Sequence, residues 1–147
     1  MTSTLLVSPA AQAGNALAQP ARRIVLIDPR PERRAITCLL VERCAALTVV
    51  GQAAGLDEAE AQVRAELADA ALVEIQMPVA LGLVTIAALR QRFAELRIVV
   101  CSFHDDPATR EAARAHGADG YLGKPLRIAD LLMLVSDPGR AADTVRT

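Results

Sequence analysis

Residues 71–78 read ALVEIQMP, an apolar run that closes on an acid, Glu74. A buried strand rarely carries a charge unless that charge is paired or used, so Glu74 needs a partner. Outward from this stretch, short β-rich runs alternate with helical patterns. The runs are RIVLID (23–28), LTVVGQ (47–52), AALVEI (70–75), RIVVCS (97–102) and DGYLGK (119–124). Continuous apolar runs of this length fit strands covered on both faces. Between them, Pro31 suits a first helical turn with Ile36, Leu39 and Leu40 along one face. Ala59, Val63 and Leu67 mark a second helix; Ile86, Leu89 and Phe93 mark a third. Asp106 as N-cap and Pro107 open a fourth that stops at Gly117, and residues 128–135 make a short apolar fifth. Five βα units in succession predict an α/β fold: a doubly wound five-stranded parallel sheet with right-handed crossovers.

The 147 residues suit one domain with a real core, and a net charge of −1 gives no electrostatic reason to capture nucleic acid or a membrane. We expect a disordered N-terminal tail over 1–21, the domain over 22–136 and a flexible C-terminal tail over 137–147. The start of the chain lacks the basic and apolar regions of a secretory signal, and no apolar run approaches the roughly 20 residues of a membrane span. Cys38 and Cys44, placed on one helix, and Cys101 match no zinc spacing and read as free thiols. The expected location is the cytoplasm. His104, His116 and the basic stretch Arg22, Arg23, Arg30, Arg33 and Arg34 read as solvated surface.

In a parallel sheet, all strands end on the same side, where ligands bind. The last residues of four runs are Asp28, Glu74, Ser102 and Lys124, so these four should converge, with Lys124 as partner to Glu74. Lys124 is the only lysine beside fifteen arginines, which suggests a position that needs a slim, single-headed ammonium. Asp28 alone also suits a simpler role, shaping the turn before Pro29 and capping the first helix.

With these residues in place, the sequence resembles the receiver domain of bacterial response regulators, the phosphoacceptor module of two-component and phosphorelay signalling. EIQMP resembles the phosphoacceptor stretch, IVLIDPRPERR the acidic turn after the first strand, and IVVCS the strand ending in Ser or Thr. HGADGYLGKPL resembles the segment with Lys-Pro and an aromatic switch position three residues before the lysine. The resemblance implies a flavodoxin-like (βα)5 fold with strand order 2-1-3-4-5. It implies that Lys124 pairs with the phosphoacceptor or phosphoryl group, that Ser102 bonds a phosphoryl oxygen, and that Tyr121 turns inward on activation. It also implies a cis Lys124–Pro125 peptide.

Two residues depart from the family pattern. Glu74 stands where the phosphoacceptor Asp is expected, and Pro29 replaces one of two magnesium-binding acids, leaving Asp28 as the residual candidate ligand. An extra methylene moves a carboxylate by about 1.5 Å, and a misplacement of about 1 Å can cost roughly 10²-fold in rate. Weak or lost Mg2+ binding, no other cofactor and no ordinary phosphorylation are therefore expected. Glu74 either reaches Lys124 or Ser102 and holds an active-like arrangement, or only neutralises Lys124 in a decayed site.

The expected function is a stand-alone, non-enzymatic pseudo-receiver acting through a protein partner, either a signalling kinase or an output protein. A homodimer through the fourth strand, fourth helix and fifth strand is a further expectation, with Ala108, Ala112 and Ala115 on the helix and Phe103 and Tyr121 beside it. No direct nucleic-acid contact is expected. One alternative is a working regulator phosphorylated by a histidine kinase at a non-standard residue, for which Asp69 lies at the wrong strand end. Another is a flavodoxin-like enzyme or nucleotide binder, which the scarcity of aromatics and Gly-rich loops disfavours.

Overall fold

The apolar runs become five strands: β1 (Arg22–Ile27), β2 (Leu47–Ala53), β3 (Ala70–Glu74), β4 (Arg97–Ser102) and β5 (Gly120–Gly123). Helices α1 (Pro31–Val41), α2 (Leu56–Glu66), α3 (Val79–Arg92), α4 (Pro107–His116) and α5 (Ile128–Ser136) alternate with them. These elements belong to a computed structural model that describes residues 20–76 and 78–136. Apart from residues 20 and 21, the tails expected over 1–21 and 137–147 lie outside the described residues.

All neighbouring strands are parallel, in the order β2-β1-β3-β4-β5. This is the doubly wound flavodoxin-like sheet expected from the sequence. Because side chains alternate along a strand, each run feeds two cores. Val25, Ile27, Val73, Val100 and Tyr121 meet Ala59, Val63, Ile86, Leu89 and Ala113 from α2, α3 and α4. On the other face, Ile24, Leu26, Leu72 and Val99 meet Val41 of α1 and Leu131, Leu134 and Val135 of α5. Each fully buried aliphatic side chain contributes about 1.5–3 kcal/mol relative to exposure.

Local signals set the element ends. The Asp106 carboxylate accepts the Thr109 N–H at 3.0 Å, Pro107 occupies the first turn of α4, and Gly117 closes it at φ 121°. Lys124–Pro125 is cis.

Three expectations change. Ile36 and Leu39 are 62% and 71% exposed, because α1 turns Val41 and part of Cys38 inward instead. Leu67 is the C-cap of α2, in the left-handed region at φ 51°, and is exposed. The helix has already ended there, so the i+8 position no longer points at the sheet. Cys44 lies beyond the end of α1, not on it, and all three cysteines are free. Among the described residues no helix is long and apolar enough to cross a membrane.

Candidate functional site

Register brings the C-terminal strand ends together. Ile27 pairs with Val73, Glu74 with Cys101, and Ser102 with Gly123, so the residues just beyond β1 and β5 meet the ends of β3 and β4. Asp28, Glu74, Ser102 and Lys124 consequently gather on one edge of the sheet. The Lys124 amide donates to the Ser102 carbonyl at 3.0 Å, which extends the ladder by one residue and fixes where the lysine side chain starts. Its Nζ lies 2.8 Å from Glu74 Oε1, with only 11% and 8% of the two side chains exposed. The partner that the apolar context of Glu74 demanded is therefore Lys124. The ammonium also stands 5.2 Å from the centre of the Phe103 ring, a cation–π distance.

Asp28 is 3% exposed. Its Oδ1 accepts the Arg30 N–H at 2.9 Å and the Gln76 Nε2–H at 3.0 Å, so it shapes the turn through Pro29. It does not cap α1, whose N-cap is Arg30 without a side-chain hydrogen bond. Oδ2 of Asp28 is buried and has no hydrogen-bond partner. The Arg30 guanidinium lies between the two acids, 3.9 Å from Asp28 Oδ1 and 3.9 Å from Glu74 Oε2.

Burial pushes the Glu74 carboxyl above the usual carboxylate range; Lys124 pulls it back, Asp28 adds to the rise, and Arg30 opposes it. Burial, with the Glu74 charge behind it, pushes the neighbouring Cys101 thiol up to about 12, so Cys101 is an inert core residue.

Ser102 is fully buried. Its hydroxyl donates to the Ile75 carbonyl at 2.7 Å and accepts the His104 N–H at 3.0 Å. Of the two reaches anticipated for Glu74, the hydrogen bond is made to Lys124. Tyr121 is also fully buried, its hydroxyl donating to the His104 carbonyl, with Arg110 4.9 Å above its ring. Burial raises the phenol pKa against the pull of Ser102 and Arg110. Ser102 and Tyr121 are thus joined through the backbone of one residue, His104.

Three participants escaped the sequence reading. Gln76 carried a usable signal, because it stands two residues after Glu74 and period-two alternation directs both to the same side. His104 takes part only through its backbone, which a side-chain reading cannot detect. In sequence Arg30 belongs to a basic stretch expected to be solvated, yet that stretch divides between opposite ends of β1. Arg23 bonds Glu66 near the start of β1, while Arg34 donates to the Asp28 carbonyl and Arg33 stacks over Phe103 at its end.

With the Arg30 guanidinium beside both acids, the site as it stands does not fit the divalent cation implied by the family resemblance. Among the described residues, Asp28 and Glu74 supply the side-chain carboxylates of the cluster, Pro29 supplies none, and a guanidinium faces both. Among the described residues no group of three or more His, Cys, Asp or Glu could hold a metal. Magnesium requires a near-octahedral oxygen shell.

A parallel five-stranded sheet with these groups at its carboxyl edge defines a receiver fold. Residues 24–136 match the response regulator receiver domain, and the chain belongs to that family. It is 34% identical over 109 residues to the nitrate/nitrite response regulator protein NarL of Escherichia coli K12, across 74% of this chain and 50% of that protein. The signal receiver domain of the response regulator NarL from Mycobacterium tuberculosis is similar in structure, with a TM-score of 0.71 and 28% identity over 80% of this chain and 98% of that one. A response regulator protein from Burkholderia pseudomallei, solved with a phosphorylated aspartic acid, calcium ion and citrate, gives a TM-score of 0.67 at 28% identity, covering 78% and 66% of the two chains. The chain spans about half the length of the curated relatives it matches.

Proposed function

We propose that this receiver is a pseudo-receiver: a non-catalytic signalling module that is not phosphorylated in the ordinary way and acts by binding a protein partner. The observation that carries the reading is the altered acid cluster: Glu74 at the phosphoacceptor position, Pro29 in place of a metal-binding acid, and the Arg30 guanidinium 3.9 Å from both Asp28 Oδ1 and Glu74 Oε2. In-line phosphoryl transfer needs a nucleophile held at its attack position and charge neutralised by metal and cation. Here the carboxylate at that position is one methylene longer, and a guanidinium stands beside it where a second metal-binding acid is missing.

A second observation favours an active-like state over simple decay. Tyr121 is turned fully inward and donates to the carbonyl of His104, the residue whose N–H bonds the Ser102 hydroxyl, and inward is the orientation that the family resemblance associates with activation. Glu74 would then stand in for the charge that a phosphoryl group brings. The partner is a signalling kinase, an output protein or a second copy, meeting the surface of β4, α4 and β5. Ala108 and Ala115 are exposed there beside Phe103, which is 61% exposed.

The test compares the wild type with a Glu74→Asp, Pro29→Asp double variant in magnesium and beryllofluoride, following chemical shifts around Tyr121. We expect silence from the wild type and a response from the variant. A saturable, magnesium-dependent response from the wild type would overturn the proposal and return the chain to the ordinary phosphoacceptors.

A further inference from the structure

The acids at the strand ends already have cationic neighbours. Two carboxylates, Asp28 at the end of β1 and Glu74 at the end of β3, face two cations, Lys124 and Arg30. Lys124 serves one oxygen of Glu74. Arg30 is the group near both acids, with Nε 3.9 Å from Asp28 Oδ1 and Nη2 3.9 Å from Glu74 Oε2. With only 5% and 8% of their side chains exposed, the acids are poorly solvated and need positive charge nearby.

The backbone explains how Arg30 gets there. Asp28 Oδ1 accepts the Arg30 N–H, which tightens the turn through Pro29 and directs the arginine side chain back over the strand ends. Its Nε is buried and without a hydrogen-bond partner, as is Oδ2 of the acid it faces. At 3.9 Å these contacts are charge proximity rather than hydrogen bonds. The guanidinium neutralises the acids without tying up all of their oxygens. Arg30 keeps 40% of its side chain exposed, so it is a counter-ion that can be displaced.

We propose that Arg30 is a built-in cation for the Asp28–Glu74 pair, replacing a divalent ion and leaving the site unresponsive to one. This rests on the pseudo-receiver reading and deepens it: the absence of an acid at position 29 alone would weaken a metal shell, whereas Arg30 fills it. Two carboxylates with water can still hold magnesium, so removing the guanidinium should expose a latent affinity. A third carboxylate, as in the Pro29→Asp variant, should displace the half-exposed arginine and have the same effect.

The experiment titrates MgCl2 into the full chain at constant ionic strength, reading Tm and Tyr121 emission for wild type, Arg30→Gln and Arg30→Lys. The expected result is no saturable response from the wild type or Arg30→Lys. Arg30→Gln should show a saturable rise in Tm of several degrees that disappears on adding Asp28→Asn. A folded Arg30→Gln that stays silent overturns the inference, as does a wild type that answers magnesium as strongly as the variant. Arg30→Lys separates charge from shape: if it answers magnesium like Arg30→Gln, the positive charge is not what excludes the ion. The two proposals fail separately. Wild type silent to beryllofluoride together with silent Arg30→Gln rejects only the role of Arg30, while a wild-type response to beryllofluoride rejects the pseudo-receiver itself.

Discussion

Removing Lys124 and removing the charge of Glu74 should not be equivalent, because burial already works against that carboxylate. Lys124→Met leaves Glu74 8% exposed, with Arg30 no closer than 3.9 Å. Breaking a buried pair from one side costs about 3–5 kcal/mol, to be read from urea denaturation at pH 7. Glu74→Gln leaves an ammonium on a flexible stem beside Phe103 and should cost far less, and the double variant should recover most of the Lys124→Met loss. The pH dependence follows from the raised carboxyl. The native state holds that proton more tightly than the unfolded chain, so the contribution of Glu74 is fully present below the ordinary glutamate pKa. It is lost as pH rises through the raised folded value. The stability of wild type relative to Glu74→Gln should therefore decline across that window; a flat difference would sink the assignment. The pair was legible in the sequence, since an acid closing an apolar run and a sole lysine at another strand end point to each other. Arg30 was not, because sequence spacing does not say which way a side chain beyond a strand end will turn.

Elements are joined by devices of unequal visibility. At the sheet edge opposite the site, Arg90 of α3 donates to the carbonyls of Phe93, Ala94, Leu96 and Gly117, and to the Asp119 carboxylate at 2.6 Å. Asp119 in turn accepts the Ile98 N–H at 2.9 Å. One guanidinium thus ties α3 to the starts of β4 and β5. Arg90→Met should lower stability by about 3–5 kcal/mol in denaturant titration while leaving the Tyr121 environment unchanged at low denaturant. A shifted Tyr121 signal would mean that the two sheet edges are coupled. No sequence signal points to Arg90, because these partners are backbone groups or lie far along the chain. The start of α4 was legible, because capping is local. Hydrogen bonds from the Thr109 hydroxyl and N–H hold the Asp106 carboxyl below its ordinary value. Its contribution is present above the unfolded pKa and is lost as pH falls through the lowered folded one. The Tm gap between wild type and Asp106→Ala should therefore close on acidification, and a constant gap would remove the charged cap from the account. The face of α1 differs from expectation for the converse reason: Ile36 and Leu39 form a sound helical stripe, but the sheet takes Val41.

Across the whole molecule, the parallel sheet separates two cores that were only half legible. The continuous apolar runs imply that both faces are covered, but strand order comes from the resemblance, since an apolar run cannot say which strand lies beside which. The division matters for signalling. Tyr121 belongs to the core under α2, α3 and α4, whereas Leu122 and Leu126, flanking Lys124, pack into the core under α1 and α5. A change at Lys124 can reach both helix layers only if the sheet behaves as one cooperative body. Leu89→Ala and Leu131→Ala probe the layers separately, and each should cost about 2–5 kcal/mol as a large-to-small core substitution. Because the two side chains lie in different clusters, the double variant should equal their sum within about 0.5 kcal/mol. The only tyrosine, in a chain without tryptophan, reports the first layer by emission, and far-ultraviolet dichroism reports all the helices. Coincident urea transitions by the two probes, in the wild type and in both variants, are expected for a single cooperative unit. If Leu131→Ala shifts the dichroism transition but not the Tyr121 transition, the layers unfold apart, and a charge fixed at Glu74 could not set the surface of α4 and α5 together.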